Sequence, residues 1–255
     1  MEADAESADS TALITGAGGA IGGAATSRFL ELGVTVVGID RNPPPGEGVH
    51  PRYRHVTVDL EDDDATQIQV DRALLNLPPL RHVVGVAGGA LSFEPATQDA
   101  PEEITSAFFR ASLEANLVTQ FTVVRASLKH LGATAGEDRS VTMTSSFNGL
   151  SAQGMPAYSA AKAGIVGLML GLVRPLGARG IRVNVVAPGT VRTARTEALW
   201  STTPGHFERL EAGTAVGRLA LPEDVAEAIV SLAVHLRHVT GQTLIVDGGQ
   251  MVVHR

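Results

Sequence analysis

Apolar residues along the chain follow two alternating rhythms. Short runs rich in β-branched residues occur at 11–15 (TALIT), 34–39 (VTVVGI), 55–58, 82–87 (HVVGVA), 140–144 (SVTMT), 181–186 (IRVNVV) and 243–246 (TLIV). Between them lie stretches of helical periodicity at about 20–32, 64–76, 102–131, 156–177 and 222–236. Several short runs are apolar at every position, as strands covered on both faces are, and strands alternating with helices need crossover connections. The pattern predicts one α/β domain over residues 11–255, a doubly wound, mostly parallel seven-stranded sheet with helices on both faces.

Segments without either rhythm mark the exterior. Residues 1–10, MEADAESADS, are expected to form a disordered acidic tail, since they lack the basic and then apolar order of a secretory signal. The loop NPPPGEGVHP, residues 42–51, holds four prolines and two glycines and is expected to be an exposed connection. Ala157–Val173 has almost no polar stripe, so the helix there is predicted to be buried all round, by the sheet and by a second helix of this chain or of another subunit. A homo-oligomer, dimer or tetramer, is therefore expected. The longest unbroken apolar run, Ala163–Val173, falls short of the roughly 18 to 20 residues that span a bilayer, so no membrane association is expected.

Composition narrows the function. Across 255 residues there is no cysteine, which excludes thiolate metal sites, disulfides and cysteine nucleophiles and fits a reducing, cytoplasmic setting. The net charge of -7 argues against a nucleic-acid partner, which needs a basic face. Among eight histidines none has zinc-site spacing; His235 and His238 lack a third ligand, and no metal is expected. The acidic run EDDDAT at 61–66 reads as a helix N-terminus, where carboxylates complement the dipole.

Two clusters carry chemistry. TGAGGAIG at 15–22 directly follows the first strand and opens a helix, the place where backbone amides can approach a dinucleotide pyrophosphate if side chains do not obstruct them. Gly16, Gly18 and Gly22 are the anchors. Asp40 stands 18 residues after Gly22, at the end of the second strand, where a carboxylate accepts hydrogen bonds from ribose hydroxyls and repels a 2′-phosphate. Gly19 brings no cation to the turn, so NAD(H) is favoured; Arg41 keeps NADP(H) as the lesser alternative. The second cluster is Tyr158 and Lys162 in YSAAK, at i and i+4 on one helix face. A tyrosine titrates near 10, and lowering that by two to three units asks roughly 3 to 4 kcal/mol of its surroundings, which a partly desolvated ammonium can supply. Ser145 and Ser146 end a strand at the sheet edge where ligands bind, and Lys162 is one of only two lysines, set in an apolar helix.

From Thr11 to Gly249 the chain resembles the short-chain dehydrogenase/reductase family. The resemblance rests on TGAGGAIG, Asp40, VDL at 58–60, Asn116 in EANLVTQF, Ser145, YSAAK, RGIRVNVVAPGTVRT at 179–193, LPEDVAEAI at 221–229 and TGQTLIVDGG at 240–249. It implies a Rossmann-type oxidoreductase with Tyr158 as general acid/base, Ser145 bonded to the same substrate oxygen, Lys162 on the nicotinamide ribose and Asn116 positioning a relay water. It places Ala20, Ile21, Arg41, Leu60, Ala87, Gly88, Pro188 and Gly189 along the cofactor with the anchors above, Asp59 at the adenine, and Val191 with Thr193 at the carboxamide. Ser145 is chosen over Ser146 because it stands 13 residues before Tyr158 and has Met143 and Val141 two and four positions ahead. A lid is implied at about 194–217.

Two departures stand out. Ala20 replaces the second glycine of the family turn, and GVAG at 85–88 replaces Asn-Asn-Ala-Gly, removing an amide that would tie the central strands together. The expectation is an NAD-dependent alcohol dehydrogenase or ketone reductase acting on a small molecule. Alternatives are an NADPH-dependent carbonyl or 3-oxoacyl reductase and, from another class, a non-catalytic NAD(H)-binding sensor or scaffold.

Overall fold

Seven strands form where the β-branched runs lie: β1 (Thr11–Thr15), β2 (Thr35–Asp40), β3 (Tyr53–Thr57), β4 (Leu80–Gly85), β5 (Arg139–Thr144), β6 (Ile181–Pro188) and β7 (Thr243–Val246). A computed structural model of the chain describes residues 10–42, 50–91, 100–132, 138–201 and 203–252. The acidic tail before residue 10 and loop residues 43–49 lie outside the described residues, as does 202 within the expected lid. The strand order is β3-β2-β1-β4-β5-β6-β7, and every pairing is parallel. The chain winds outward from β1 to β3, returns to lay β4 beside β1, and winds out the other way. That reversal opens a crevice at the carboxyl ends of β1 and β4.

Strand side chains alternate between two cores. Ala12, Ile14, Val36, Val84 and Val186 face α1 (Ala20–Glu31) and α8 (Pro222–Val230), meeting Phe29, Val225 and Ile229. Leu13, Val37, Val83, Val141, Met143 and Val185 face the other layer. That layer consists of α2 (Asp63–Ala73), α4 (Thr119–Ser127) and α5 (Pro156–Gly177), which bring Val70, Val123, Ile165 and Met169. The acidic run does start a helix: Asp62 accepts the Ala65 amide, and Asp63 and Asp64 occupy the first turn of α2.

The helix expected over 102–131 is not continuous. After a 3₁₀ turn at Pro101–Glu103, Thr105 caps a fresh start by accepting the Phe108 amide, and α3 (Ser106–Leu113) begins. A π-helical turn, Glu114–Val118, then joins α3 to α4, with the Thr119 amide reaching back to the Glu114 carbonyl. Such turns gather at functional sites. Residues 222–236 behave alike, α8 giving way to a π turn at Ser231–His235. Carbonyls of Leu232 and Ala233 there accept the Arg182 guanidinium, which also pairs with Asp138.

Helix α5 is covered by its own chain on one side only. Its 22 residues are long and apolar enough to cross a membrane by length and composition, yet Ala157, Ala161, Ile165, Met169 and Leu176 are buried in the core beside β5 and β6. Within one chain Ala163, Gly167, Leu170 and Gly171 face outward, Leu170 with 60% of its surface exposed, the side left for the expected second subunit to cover. The segment expected to act as a lid holds α6 (Ala194–Trp200) and α7 (His206–Ala212). Trp200 packs on His206 with ring centroids 4.6 Å apart and on Phe207 at 5.8 Å, so these rings join the two short helices to each other.

Candidate active site

The glycine turn closes tightly over the end of β1. Gly16 has φ +67°, and a β-carbon there would come within 2.9 Å of the Ala87 amide nitrogen; one on Gly22 would land on the Gly16 carbonyl. The turn is held by Gly19 N–H to Gly16 O at 2.9 Å and Gly23 N–H to Gly19 O at 2.8 Å. Ala20 is the exposed first residue of α1, with Ile21 half-buried behind it, so its methyl leaves the turn intact. The first amides of α1 have no intrahelical acceptor, and Gly19 at the cap adds no side chain. This is an open anion-binding end. Thr15 ties it to the neighbouring loop, its hydroxyl accepting the Val86 amide at 3.0 Å and the Ala87 amide at 3.2 Å.

Asp40 ends β2 against this turn. One carboxylate oxygen accepts the Gly18 amide at 3.0 Å, the other the Asn42 amide at 2.9 Å, while Arg41 is exposed. Glycines without room for side chains, free helix amides and a carboxylate at the strand end fit the adenosine diphosphate half of a nicotinamide dinucleotide. Asp59 is exposed and accepts the Glu61 amide; Leu60 next to it is buried. Across the sheet, Pro188 ends β6, and Gly189 N–H bonds Val246 O at 3.0 Å, its α-carbon packed on Asp247 and Gln250. Val191 bridges to Ala220, and the Thr193 hydroxyl is engaged as the α6 cap, accepting the Thr196 amide at 3.2 Å.

Lys162 lies 3% exposed, its Nζ donating to Thr144 O at 3.0 Å and standing 5.5 Å from the Tyr158 ring centre. Burial pushes the ammonium down to about 7. Among the described residues it has no carboxylate partner. Tyr158, half-buried, sits in the first turn of α5, whose entry is fixed by Pro156 after Met155 at φ +54°, an unusual conformation for methionine. Ser145 donates to the Lys162 carbonyl at 2.7 Å. Ser146 accepts the Asn148 amide and reaches Asn148 Oδ1 only at 3.4 Å.

Asn116 occupies the π turn, fully buried. Its amide donates to Gly89 O at 3.1 Å and Ser112 O at 3.0 Å and accepts the Gly89 amide at 2.7 Å, clasping the loop after β4. The π turn packs on α5 where Leu117 fills the space beside Gly164. Gly88, at φ +133°, passes against Asn116 Oδ1. Thus Ser145, Tyr158 and Lys162 gather on one side, Asn116, Ala87 and Gly88 on the next, and Gly16, Gly18, Gly22 and Asp40 across the crevice. The Asn116 side chain is a backbone clasp here, a role its sequence position did not disclose.

Sequence reasoning passed over Gln120 and Thr144. Gln120, 1% exposed, donates to Thr144 O at 2.9 Å and accepts the Thr144 amide at 3.2 Å. Its signal was present as an uncharged amide four residues after Asn116 on a helix that packs on the sheet. No cluster of three potential metal ligands occurs among the described residues.

Comparison with known proteins identifies the family. A family model described as enoyl-(acyl carrier protein) reductase matches residues 16–251. Cis-4-hydroxycyclohexanecarboxylate dehydrogenase of Sinomonas cyclohexanicum is 34% identical over 255 residues, covering 96% of this chain and 98% of that one. The crystal structure of an oxidoreductase of the short-chain dehydrogenase/reductase family from Burkholderia thailandensis is 36% identical, with a TM-score of 0.83 over 96% of this chain and 94% of its own. ElxO with NADP bound shares the fold at 21% identity, TM-score 0.82, over 96% and 99%. Matched from its glycine turn through its last strand, the chain belongs to the short-chain dehydrogenase/reductase family of oxidoreductases.

Proposed function

We propose that the protein interconverts a secondary alcohol and a ketone with NAD(H), Tyr158 carrying the proton. The observation that carries this reading is Lys162, buried without a carboxylate partner among the described residues and held 5.5 Å from the Tyr158 ring by the Thr144 carbonyl. A lysine so placed needs an anion, and a Tyr158 phenolate is the one its helix presents. In oxidation Tyr158 accepts the hydroxyl proton of the substrate; in reduction it returns a proton to the carbonyl oxygen. Bound nicotinamide supplies the hydride acceptor or donor. The first amides of α1, with Gly16, Gly18, Ala20, Ile21 and Gly22, would hold its diphosphate, Asp40 its adenosine ribose, and Lys162 its other ribose. Similarity to a dehydrogenase of a hydroxycyclohexane carboxylate supports a secondary alcohol as substrate.

Of the two serines, Ser145 is the one assigned to the substrate oxygen: it follows β5 beside the Lys162 turn, 13 residues before Tyr158. Its hydroxyl, which can rotate from the Lys162 carbonyl 2.7 Å away to a bound oxygen, lies nearer the Tyr158–Lys162 pair, whereas Ser146 is engaged with Asn148. The outward stripe of α5, Ala163, Gly167, Leu170 and Gly171, supports a homo-oligomer: neither glycine has any atom within 4 Å of where a side chain would begin. A second copy of α5 fits this flat apolar strip.

Cofactor choice rests on Asp40, whose charge faces the glycine turn. Titration by fluorescence is expected to give NADH a Kd at least about tenfold below that of NADPH, and Asp40→Ala to narrow the gap from both sides. Tighter NADPH binding by the unaltered protein contradicts the preference.

A further inference from the structure

The β4–β5 ladder ends with Gly85 opposite Met143. Thr144 is the next residue of β5. The Ser145 amide turns toward β6, bonding Val186 O at 2.8 Å, so the Thr144 amide and carbonyl turn the other way, toward β4, where the ladder has stopped. Gln120 meets both groups there. Its Oε1 accepts the Thr144 amide and its Nε2 donates to the Thr144 carbonyl, the pairing a neighbouring strand would have supplied. The carbonyl's second acceptor site holds Lys162 Nζ at 3.0 Å. One peptide thus joins a side-chain amide from α4 to the ammonium of the Tyr158–Lys162 pair.

Space at Gly85 makes this possible. A β-carbon on Gly85 would stand 2.8 Å from Gln120 Oε1, so any side chain at 85 would drive the Gln120 amide out. Gly85 and Gln120 form a matched exchange: the residue without a side chain on β4 makes room for an amide arriving from the helix layer. Buried amides left unpaired are costly, and Gln120 is 1% exposed, so the fit is an all-or-none one.

We propose that Gln120 is a positioning residue of the active site: standing in for a missing strand edge, it fixes the Thr144 peptide that holds Lys162 against Tyr158. This rests on the reading of Tyr158 and Lys162 given above. The inference explains why the loss of an amide at position 85 leaves the central strands in register, since the amide has moved to position 120.

The test uses tyrosine ionisation and needs no substrate. The chain has two tyrosines, so in a Tyr53→Phe background the ultraviolet absorbance of the phenolate reports Tyr158 alone. Adding Gln120→Ala is expected to move the Tyr158 midpoint upward by about one unit: Tyr158 and Lys162 titrate as a pair, the phenolate opposing the loss of the buried ammonium's proton, and an ammonium no longer held at Thr144 O stabilises the phenolate less. Adding Gly85→Asn to that variant returns an amide to the seam and is expected to restore most of the shift. Gly85→Asn with Gln120 retained is expected to raise the midpoint, since the two amides compete for one space. A Gln120→Ala protein that melts at lower temperature but keeps the midpoint would show a structural role only and overturn the proposal. So would a folded Gly85→Asn/Gln120→Ala protein whose midpoint stays raised. Should Gln120→Ala not fold, the paired exchange is compared directly with its parent, and its failure to fold or to match the parent overturns the proposal as well. If Lys162→Met leaves the parental midpoint unmoved, the Tyr158–Lys162 reading itself has failed, an outcome separate from the others.

Discussion

Lys162 concentrates the chemistry of the site in one side chain. It sits 3% exposed in an apolar helix, and burial holds its ammonium down to about 7 from an ordinary 10.5. Below pH 7 both folded and unfolded chains carry the proton, and the fold bears the full desolvation cost. Between about 7 and 10.5 the folded chain releases the proton first, so stability rises with pH and the cost vanishes above that range. Lys162→Met is therefore expected to raise stability by on the order of a few kcal/mol at and below neutrality, with the gain fading toward pH 10.5. Urea unfolding at several pH values checks this; a gain independent of pH would contradict it. The serines give a sharper contrast. With turnover as the readout, Ser145→Ala is expected to lower kcat by about a hundredfold through loss of a donor to the reacting oxygen. Ser146→Ala should change kcat far less, since its hydroxyl is engaged by the Asn148 amide. The reverse ranking would move the role to Ser146.

Elements turn these residues into a site by ending or bending where they do. Breaking the expected 102–131 helix at Thr105 and again at the π turn is what brings Asn116 to the Gly88–Gly89 backbone and Gln120 to Thr144. Periodicity did not reveal this, because a π turn shifts the helical phase by a single residue, a step lost in the scatter of apolar positions over so short a stretch. Helix α1 was legible down to its first residue, since TGAGGAIG combines a glycine needing φ +67° with one that has no room for a side chain. Helix α5 was legible in extent but not in surroundings. An apolar run says that a helix avoids water, not whether its own chain or a second copy covers it, and Leu170 stays 60% exposed. Leu170→Arg is expected to lower the oligomeric mass measured by light scattering, with secondary structure retained. A protein already monomeric, or an assembly indifferent to the change, would remove α5 as the interface.

The whole molecule contributes the crevice. A parallel sheet that reverses its winding between β1 and β4 sets the glycine turn, the GVAG loop and the ends of β5 and β6 along one edge. Strand positions were readable because β-branched runs covered on both faces leave no polar alternation. The partnership across 35 residues between Gly85 and Gln120 was not readable, because it depends on which atoms fill the space a glycine leaves. The most direct measurement is hydride transfer followed by NADH absorbance, with NAD and a panel of secondary alcohols, in the unaltered protein and in Tyr158→Phe. Turnover is expected to fall by about a thousandfold or more in the variant while NADH still binds with Kd within about threefold. Turnover retained by Tyr158→Phe would contradict the assignment of the proton to Tyr158. A protein that binds NADH but turns over none of these alcohols before any substitution would contradict the dehydrogenase reading and favour a sensor.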